Sequence, residues 1–200
     1  MKARKLVQLA IALVVLALWA VPATAQAGPN DNSSDRPWAL QFGLGPAVHL
    51  GPRGWWGRGA GGTHGRIGFD FQYHFKGGDV GPALGALATT TFTHRRFGMN
   101  VGVIFLWDFR VLEAGNFKLY VAPLVAAGHA FWHRWWDDRD RRRGDQWTRH
   151  WFFMDFGAQV KGVWNDRIGF FARPANFSMY AGPTSVHGYW SFISGLTLSF

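Results

Sequence analysis

The last segment of the chain alternates strictly between apolar and polar residues. Trp190, Phe192, Leu196 and Leu198 share one parity, and small or hydroxyl residues hold most positions of the other, with Ile193 as the apolar exception. Successive side chains of a strand point to opposite faces, so this pattern predicts a strand with one apolar and one polar face. The chain must therefore build a sheet whose two faces meet different surroundings.

Seven earlier segments show related patterns and are separated by clusters of Gly, Pro, Asn and Asp. The eight predicted strands span residues 38–50, 66–75, 80–92, 97–109, 117–131, 151–163, 167–179 and 189–200. The third is weakly patterned, and the seventh changes parity near Pro174, which predicts a bulge there. Segments of about ten residues or more are long enough for tilted strands to cross a bilayer.

The size of the residues on each parity indicates which face is the interior. The apolar parity is bulky, with Phe, Leu, Trp and Val, whereas the other parity holds Gly, Ala, Ser, Thr and charges of both signs. An eight-stranded barrel has room inside only for packed side chains, so the bulky parity belongs outside. The predicted fold is all-β, a transmembrane antiparallel up-and-down barrel of about eight strands; a soluble lipocalin-like barrel is the alternative.

The chain ends on an aromatic residue, Phe200, directly after the alternating strand. By this aromatic end of its last strand, the sequence resembles the small outer-membrane β-barrel proteins, the family of outer-membrane proteins with a β-barrel domain. The resemblance implies that the terminal strand is recognised by the barrel assembly machinery. It also implies a location in the outer membrane of a double-membraned bacterium and a structural, adhesive or surface-interaction role.

The N-terminus supports export. Lys2, Arg4 and Lys5 precede an apolar run over residues 6–19, and small residues follow at the positions of a cleavage site, Ala25 or as late as Ala27. This is the layout of a secretory signal peptide, and the apolar run is shorter than the roughly 20 residues of a membrane span. The predicted organisation is a signal peptide at 1–25, a short periplasmic lead at 26–37 and the barrel at 38–200.

The connections also alternate in length. Residues 50–65, 134–146 and 181–188 are predicted as the longer loops, and they fall on the outer side if both termini lie in the periplasm. This asymmetry is typical of outer-membrane barrels.

The composition of the chain limits the classes of molecule that it is expected to bind. The net charge is +9, and three of these charges belong to the predicted signal peptide, which leaves +6 on the mature chain. An exported protein meets little nucleic acid, so outer-membrane lipid and its anionic headgroups are the expected partners. The 12 Trp and 18 Phe fit rings placed at membrane interfaces. The absence of cysteine excludes disulfides, thiol catalysis and cysteine-ligated metal.

Charged residues on the polar parity are candidates for a network inside the barrel. They are Arg66, Asp70, Asp108, Lys118, Asp155, Lys161 and Arg173. Enclosed charges must pair to offset the loss of hydration. The network is predicted to fill the lumen with ion pairs, and a narrow ion or proton path is the alternative.

The loop at 134–146 is the most charged part of the chain. Its arginines Arg139, Arg141, Arg142 and Arg143 are candidates for binding lipid headgroups, because guanidinium groups offer paired donors to phosphate oxygens. The alternative is a solvated loop above an aromatic girdle, to which the sequence contributes Trp132, Trp135, Trp136, Trp147 and Trp151.

Catalytic and metal signals are weak, and no cofactor is expected. His129 and His133 are four residues apart, which on a strand is about 13 Å and too far for one metal ion. We interpret them as interface histidines. Ser185 and His187 share a predicted loop, with Asp145 as a candidate acid, so a lipid-A acyl hydrolase or acyltransferase stays open as an alternative. No nucleophile elbow or other catalytic motif supports it.

Overall fold

The computed structural model describes residues 36–50, 63–75, 80–92, 96–134, 148–182 and 186–200. These residues form the strands β1 (Trp38–Leu50), β2 (Thr63–His74), β3 (Gly81–Phe92), β4 (Arg96–Ala114), β5 (Phe117–Arg134), β6 (Thr148–Trp164), β7 (Ile168–Ala181) and β8 (Val186–Ser199). Each strand pairs antiparallel with the next, and β1 also pairs with β8, so the sheet closes into an up-and-down barrel. The predicted all-β antiparallel up-and-down barrel of eight strands is confirmed. Within the described ranges, no helix is long and apolar enough to cross a membrane.

The strands are longer than the alternation alone indicated. β4 continues to Ala114 and pairs with β5 in a hairpin that turns at residues 115–116. β8 begins at Val186, because His187 and Gly188 extend the ladder opposite Tyr180 and Met179. The β7–β8 connection therefore covers only residues 182–185, and the prediction of a longer loop over 181–188 was wrong. Backbone groups that continue the ladder are satisfied without water, which favours extension.

The parity change in β7 is confirmed. Against β8 the register shifts between Arg173 and Asn176, and against β6 it shifts between Ala158 and Val160. Arg173 and Asn176 are both buried although they lie three positions apart. Proline has no N–H to donate to the ladder, so Pro174 lies where pairing is interrupted.

The two faces of the sheet differ in the predicted sense. Large apolar side chains cover the outside, with Leu44 59%, Val103 58% and Leu196 64% exposed. Small and polar side chains occupy the inside, including a weakly patterned β3 whose Leu87, Thr89 and Thr91 are buried. Several apolar residues on the polar parity are also buried in the lumen, among them Ile104, Leu106 and Ile193.

Aromatic rings gather at the end of the barrel where β1 begins and β8 ends, which we call the proximal end; the opposite end is the distal end. The ring of Trp38 stacks on Phe71 at 4.9 Å, and Phe71 lies 6.3 Å from Phe200. Farther around the barrel, Phe117 and Trp164 are 4.5 Å apart. Such a ring of aromatic side chains is typical of a membrane interface.

Glycine allows the β8–β1 seam to close tightly. A Cβ added at Gly45 would lie 1.8 Å from the carbonyl oxygen of Phe192, and one at Gly195 would lie 1.9 Å from that of Phe42. Neither position has space for a side chain. In a barrel of few strands the sheet curves sharply, so inward positions on neighbouring strands approach each other closely.

Candidate functional site: the charged lumen

Among the residues that the structure describes, six charged side chains lie on inward positions and are at most 3% exposed: Arg66, Asp70, Asp108, Asp155, Lys161 and Arg173. They form three ion pairs, each between strands that are not adjacent in the barrel. Each pair lies at a different height along the barrel, which we call a level. β2 contributes a side chain to all three levels, because His74, Asp70 and Arg66 follow one another at intervals of four residues along it. The pairs are therefore arranged one above another along the barrel axis.

The proximal pair joins β4 to β6. The Lys161 Nζ donates to Asp108 Oδ2 at 2.7 Å, and His74 Nε2 lies 2.9 Å from the same oxygen. The other ring nitrogen of His74 faces the carbonyl oxygen of Pro37 at 3.3 Å. Lys161 also lies over the ring of Tyr120, 4.9 Å from its centroid. The carboxylate thus meets two nitrogen groups and has no exposed surface.

The central pair joins β7 to β2. Arg173 Nη2 donates to Asp70 Oδ2 and to Gln41 Oε1, both at 2.8 Å. Its Nε donates to Gln159 Oε1 at 2.9 Å. Gln72 donates a further hydrogen bond to Asp70. The guanidinium is held by oxygen atoms from β1, β2 and β6, so it links strands on opposite sides of the barrel.

The distal pair joins β2 to β6. Arg66 Nη2 donates to Asp155 Oδ2 at 2.9 Å. Three hydroxyl groups accept further hydrogen bonds from the same guanidinium, those of Ser178 at 2.6 Å, Ser191 at 3.1 Å and Thr89 at 3.1 Å. Four strands besides β2 therefore supply oxygen atoms to one buried cation.

An aromatic plug lies distal to this pair, formed by Trp132, Trp151, Phe153, Tyr180 and Tyr189. The rings of Trp132 and Tyr189 stack at 5.8 Å, and Tyr180 meets Tyr189 edge-on at 5.4 Å. Asn100 donates to the Tyr180 hydroxyl at 2.8 Å and to Thr89 at 2.9 Å, which connects the plug to the charges below.

Trp132 and Trp151 belong to the plug, and their prediction as part of an outer girdle was wrong. They are 3% and 5% exposed. Their parity was a usable signal, because Trp132 shares the parity of Tyr120 on β5, and Trp151 shares that of Asp155 on β6. Indole rings are common at membrane interfaces, but here they fill the distal lumen.

Lys118 is separate from the six buried charges. It lies at the proximal end, where its Nζ is 2.9 Å from Asp166 Oδ1 and its side chain is 12% exposed. Arg36 donates to the carbonyl oxygen of Asp166 at 3.1 Å in the same region. Position on the inward parity is not sufficient for burial, because the ends of the barrel are open to solvent.

Several predicted residues lie outside the described part of the chain. They are the signal peptide and lead up to residue 35, the loop arginines Arg139, Arg141, Arg142 and Arg143, the girdle tryptophans Trp135, Trp136 and Trp147, and the candidate catalytic residues Asp145 and Ser185. His187 is described, and its ring lies 4.7 Å from that of Trp151. Among the described residues, no group of three His, Cys, Asp or Glu side chains is placed to hold a metal ion.

Comparison with known proteins gives a likeness of fold. No protein-family model matches the chain, and no curated protein does. The crystal structure of Neisserial surface protein A (NspA) aligns with a TM-score of 0.57 at 8% identity, over 82% of this chain and 97% of that one. The N-terminal β-barrel domain of Pseudomonas aeruginosa OprF aligns with a TM-score of 0.51 at 14% identity, over 82% of this chain and 98% of that one.

The chain has the fold of the small outer-membrane β-barrels. Its strand number, antiparallel order and closure agree with this likeness. The arrangement of the lumen is a property of this chain's own residues. Buried ion pairs in three levels and a plug of five aromatic rings leave the interior occupied by side chains.

Proposed function

We propose that this protein is an integral outer-membrane barrel, closed to water, with a structural or surface-interaction role. The observation that carries the proposal is the inverted distribution of side chains. Exposed Phe, Leu, Val and Trp cover the outside, while Arg66, Asp108 and Lys161 are buried at 0–1% exposure inside. Apolar side chains facing hydrocarbon, with a closed sheet that satisfies its own backbone groups, are what a bilayer requires.

Closure is supported by the burial of the charges. Side chains that line a water-filled pore are exposed to that water, whereas Asp108 and Lys161 have no exposed surface. In the described part of the barrel, the carboxylates of Asp70, Asp108 and Asp155 are each within 3 Å of a cation. The lumen charges therefore stabilise contacts across the barrel, and the plug covers them at the distal end.

A narrow ion path is the second candidate. It is favoured by the polar column along β2, where Gln72 lies between His74 and Asp70, and Arg66 follows farther along the strand. An ion on this path would have to displace three buried ion pairs in succession. Leaving one charge of a buried pair without its partner costs roughly 3–5 kcal/mol in free energy. The column therefore supports a closed state better than a conducting one.

The enzymatic alternative, a lipid-A acyl hydrolase or acyltransferase, rests on Ser185 and His187. His187 packs against Trp151 on the lumen side and is 7% exposed. Ser185→Ala and His187→Ala should leave the acyl composition of lipid A unchanged in cells that produce the protein. Loss of an acyl-chain modification in both variants would support the enzyme instead.

The first test reconstitutes the mature chain in planar bilayers. We expect migration on a gel that changes on boiling, which reports a folded barrel, and no discrete conductance. A porin of known conductance, reconstituted in parallel, controls for insertion. Reproducible channel steps that change in Asp108→Asn would contradict closure. A chain that is monodisperse in buffer without detergent would contradict the membrane location.

We further propose that the distal loop with Arg139, Arg141, Arg142 and Arg143 binds anionic lipid headgroups. The support is the composition of the loop, since four guanidinium groups lie within five residues and match phosphate oxygens with paired donors. Replacing all four with Gln should weaken binding of a soluble short-chain anionic phospholipid to the barrel in micelles of neutral detergent.

The matched control removes four positive charges from the proximal end. Arg36, Arg110, Lys118 and Arg167 are replaced with Gln, which changes the net charge equally but leaves the loop intact. Equal weakening in both variants would show that only overall charge matters and would contradict a loop site.

The assembly machinery is a further proposed partner, through the C-terminal strand that ends in Phe200.

A further inference from the structure

Two histidines meet on the outer surface of the β5–β6 ladder near its distal end. His129 Nε2 and His150 Nδ1 are 2.9 Å apart, and both side chains are exposed. His129 lies opposite Phe152, and His150 lies opposite Phe131, so the two histidines are diagonal neighbours on one face. They are separated by 21 positions in the sequence.

We propose that His129 and His150 form a binding site for a divalent transition-metal ion, with copper(II) or nickel(II) as the favoured ions. Metal–imidazole bonds are about 2.0–2.1 Å long, so two nitrogens in adjacent positions of a square-planar or octahedral ion lie about 2.8–3.0 Å apart. The observed separation of 2.9 Å falls in this interval. This nitrogen–nitrogen contact is a hydrogen bond in the structure, and a bound ion replaces it after both exposed rings rotate to direct their lone pairs at the ion.

The choice of ion follows from ligand chemistry. Neutral imidazole suits copper, nickel and zinc, and affinity for nitrogen ligands rises from manganese to copper in the first-row series. Among the described residues no third His, Cys, Asp or Glu is placed to complete the site. Water molecules take the remaining positions, which favours ions that accept two protein ligands in adjacent positions.

His133 shares the outward parity but does not belong to the pair. On β5 it is four residues from His129, and it lies opposite Thr148 in the register. Four residues along a strand cover about 13 Å, so His129 and His133 cannot share an ion. His150 on the neighbouring strand is what brings a second imidazole to His129. A bound ion therefore bridges β5 and β6.

The test titrates copper(II) into the barrel refolded in micelles of a zwitterionic detergent. Isothermal titration calorimetry measures the affinity, and pulsed electron paramagnetic resonance detects imidazole nitrogens bound to the copper. We expect two nitrogens in the native chain. His129→Gln and His150→Gln should each lower the affinity at least tenfold and remove the two-nitrogen signal. The double variant, which has neither imidazole, should bind copper(II) no more tightly than either single variant.

Two control variants separate this site from three other histidines. His133→Gln removes a neighbour on the same face, and a variant with His49→Gln and His187→Gln removes the rings that lie 5.8 Å apart in the distal lumen. Both should keep the affinity and the signal. A change of migration on boiling checks that every variant is folded. Native affinity in His129→Gln and His150→Gln, or loss of the signal in either control, would overturn the assignment. The inference does not depend on the proposed function, because it needs only a folded barrel.

Discussion

Replacing Asp155 with Asn tests whether the lumen excludes water. The substitution keeps the shape of the side chain but removes the charge that neutralises Arg66. Arg66 is 1% exposed, and its guanidinium lies 2.9 Å from Asp155 Oδ2. The hydroxyl groups of Ser178, Ser191 and Thr89 remain as acceptors, but none of them carries a charge.

The expected loss is large because a cation is left buried without a counter-charge. Removing one partner of a buried ion pair costs about 3–5 kcal/mol in the free energy of unfolding. This corresponds to roughly two to three and a half powers of ten in the unfolding equilibrium. If water reached Arg66, hydration would replace most of the lost interaction, and the cost would fall to the range of an exposed pair, at most about 1 kcal/mol.

The assay is urea unfolding of the barrel in lipid vesicles, followed by tryptophan fluorescence. Glu113→Gln is the matched control, because Glu113 pairs with Arg110 at 3.0 Å and is 47% exposed. It should cost less than about 1 kcal/mol. A second variant, Asp155→Asn with Arg66→Met, removes both charges and should recover most of the stability. Equal stability of Asp155→Asn and Glu113→Gln would contradict a lumen that is closed to water.

Three further changes test other features of the barrel. Gly195→Val should prevent stable folding, measured as loss of the boiling-dependent gel shift, because a Cβ there would lie 1.9 Å from a backbone oxygen of β1; normal folding would contradict the tight seam. Phe200→Ala should lower the amount of barrel assembled in cells, whereas Phe75→Ala, which removes another exposed aromatic ring, should not; equal amounts would count against terminal recognition. Trp132→Ala with Tyr189→Ala should open the distal lumen to water. The measurement is increased quenching by acrylamide of Trp151, the tryptophan that remains in the plug. Unchanged quenching would show that these rings do not form the plug.

The faces of the strands were predictable from local patterns. The period of two residues assigns Ile193 to the lumen in spite of its apolar side chain, and burial at 1% agrees. The parity change at Pro174 likewise predicted the bulge that the β7 register shows. These predictions succeed because the side chains of one strand alternate by local geometry, whatever the neighbouring strand does.

The partners of the buried charges were not predictable in the same way. Arg66 and Asp155 are 89 positions apart, and Arg173 and Asp70 are 103 apart. The sequence indicated that such residues face inward, but it carried no signal for the level at which each one lies. Lys118 shows the difference, because it has the inward parity and yet pairs with Asp166 at the proximal end.

Residue type and spacing along the chain were enough to predict a sheet with bulky apolar side chains on one face and small or charged side chains on the other. The folded barrel was needed to reveal the pairing of Asp108 with Lys161, the contacts of Trp132 within the plug and the meeting of His129 with His150. These contacts depend on folding because strand register and barrel closure involve all the strands together. A shift of one residue in the pairing of a strand would move all of that strand's side chains to the opposite face of the sheet, so contacts across the barrel exist only once the whole sheet has closed.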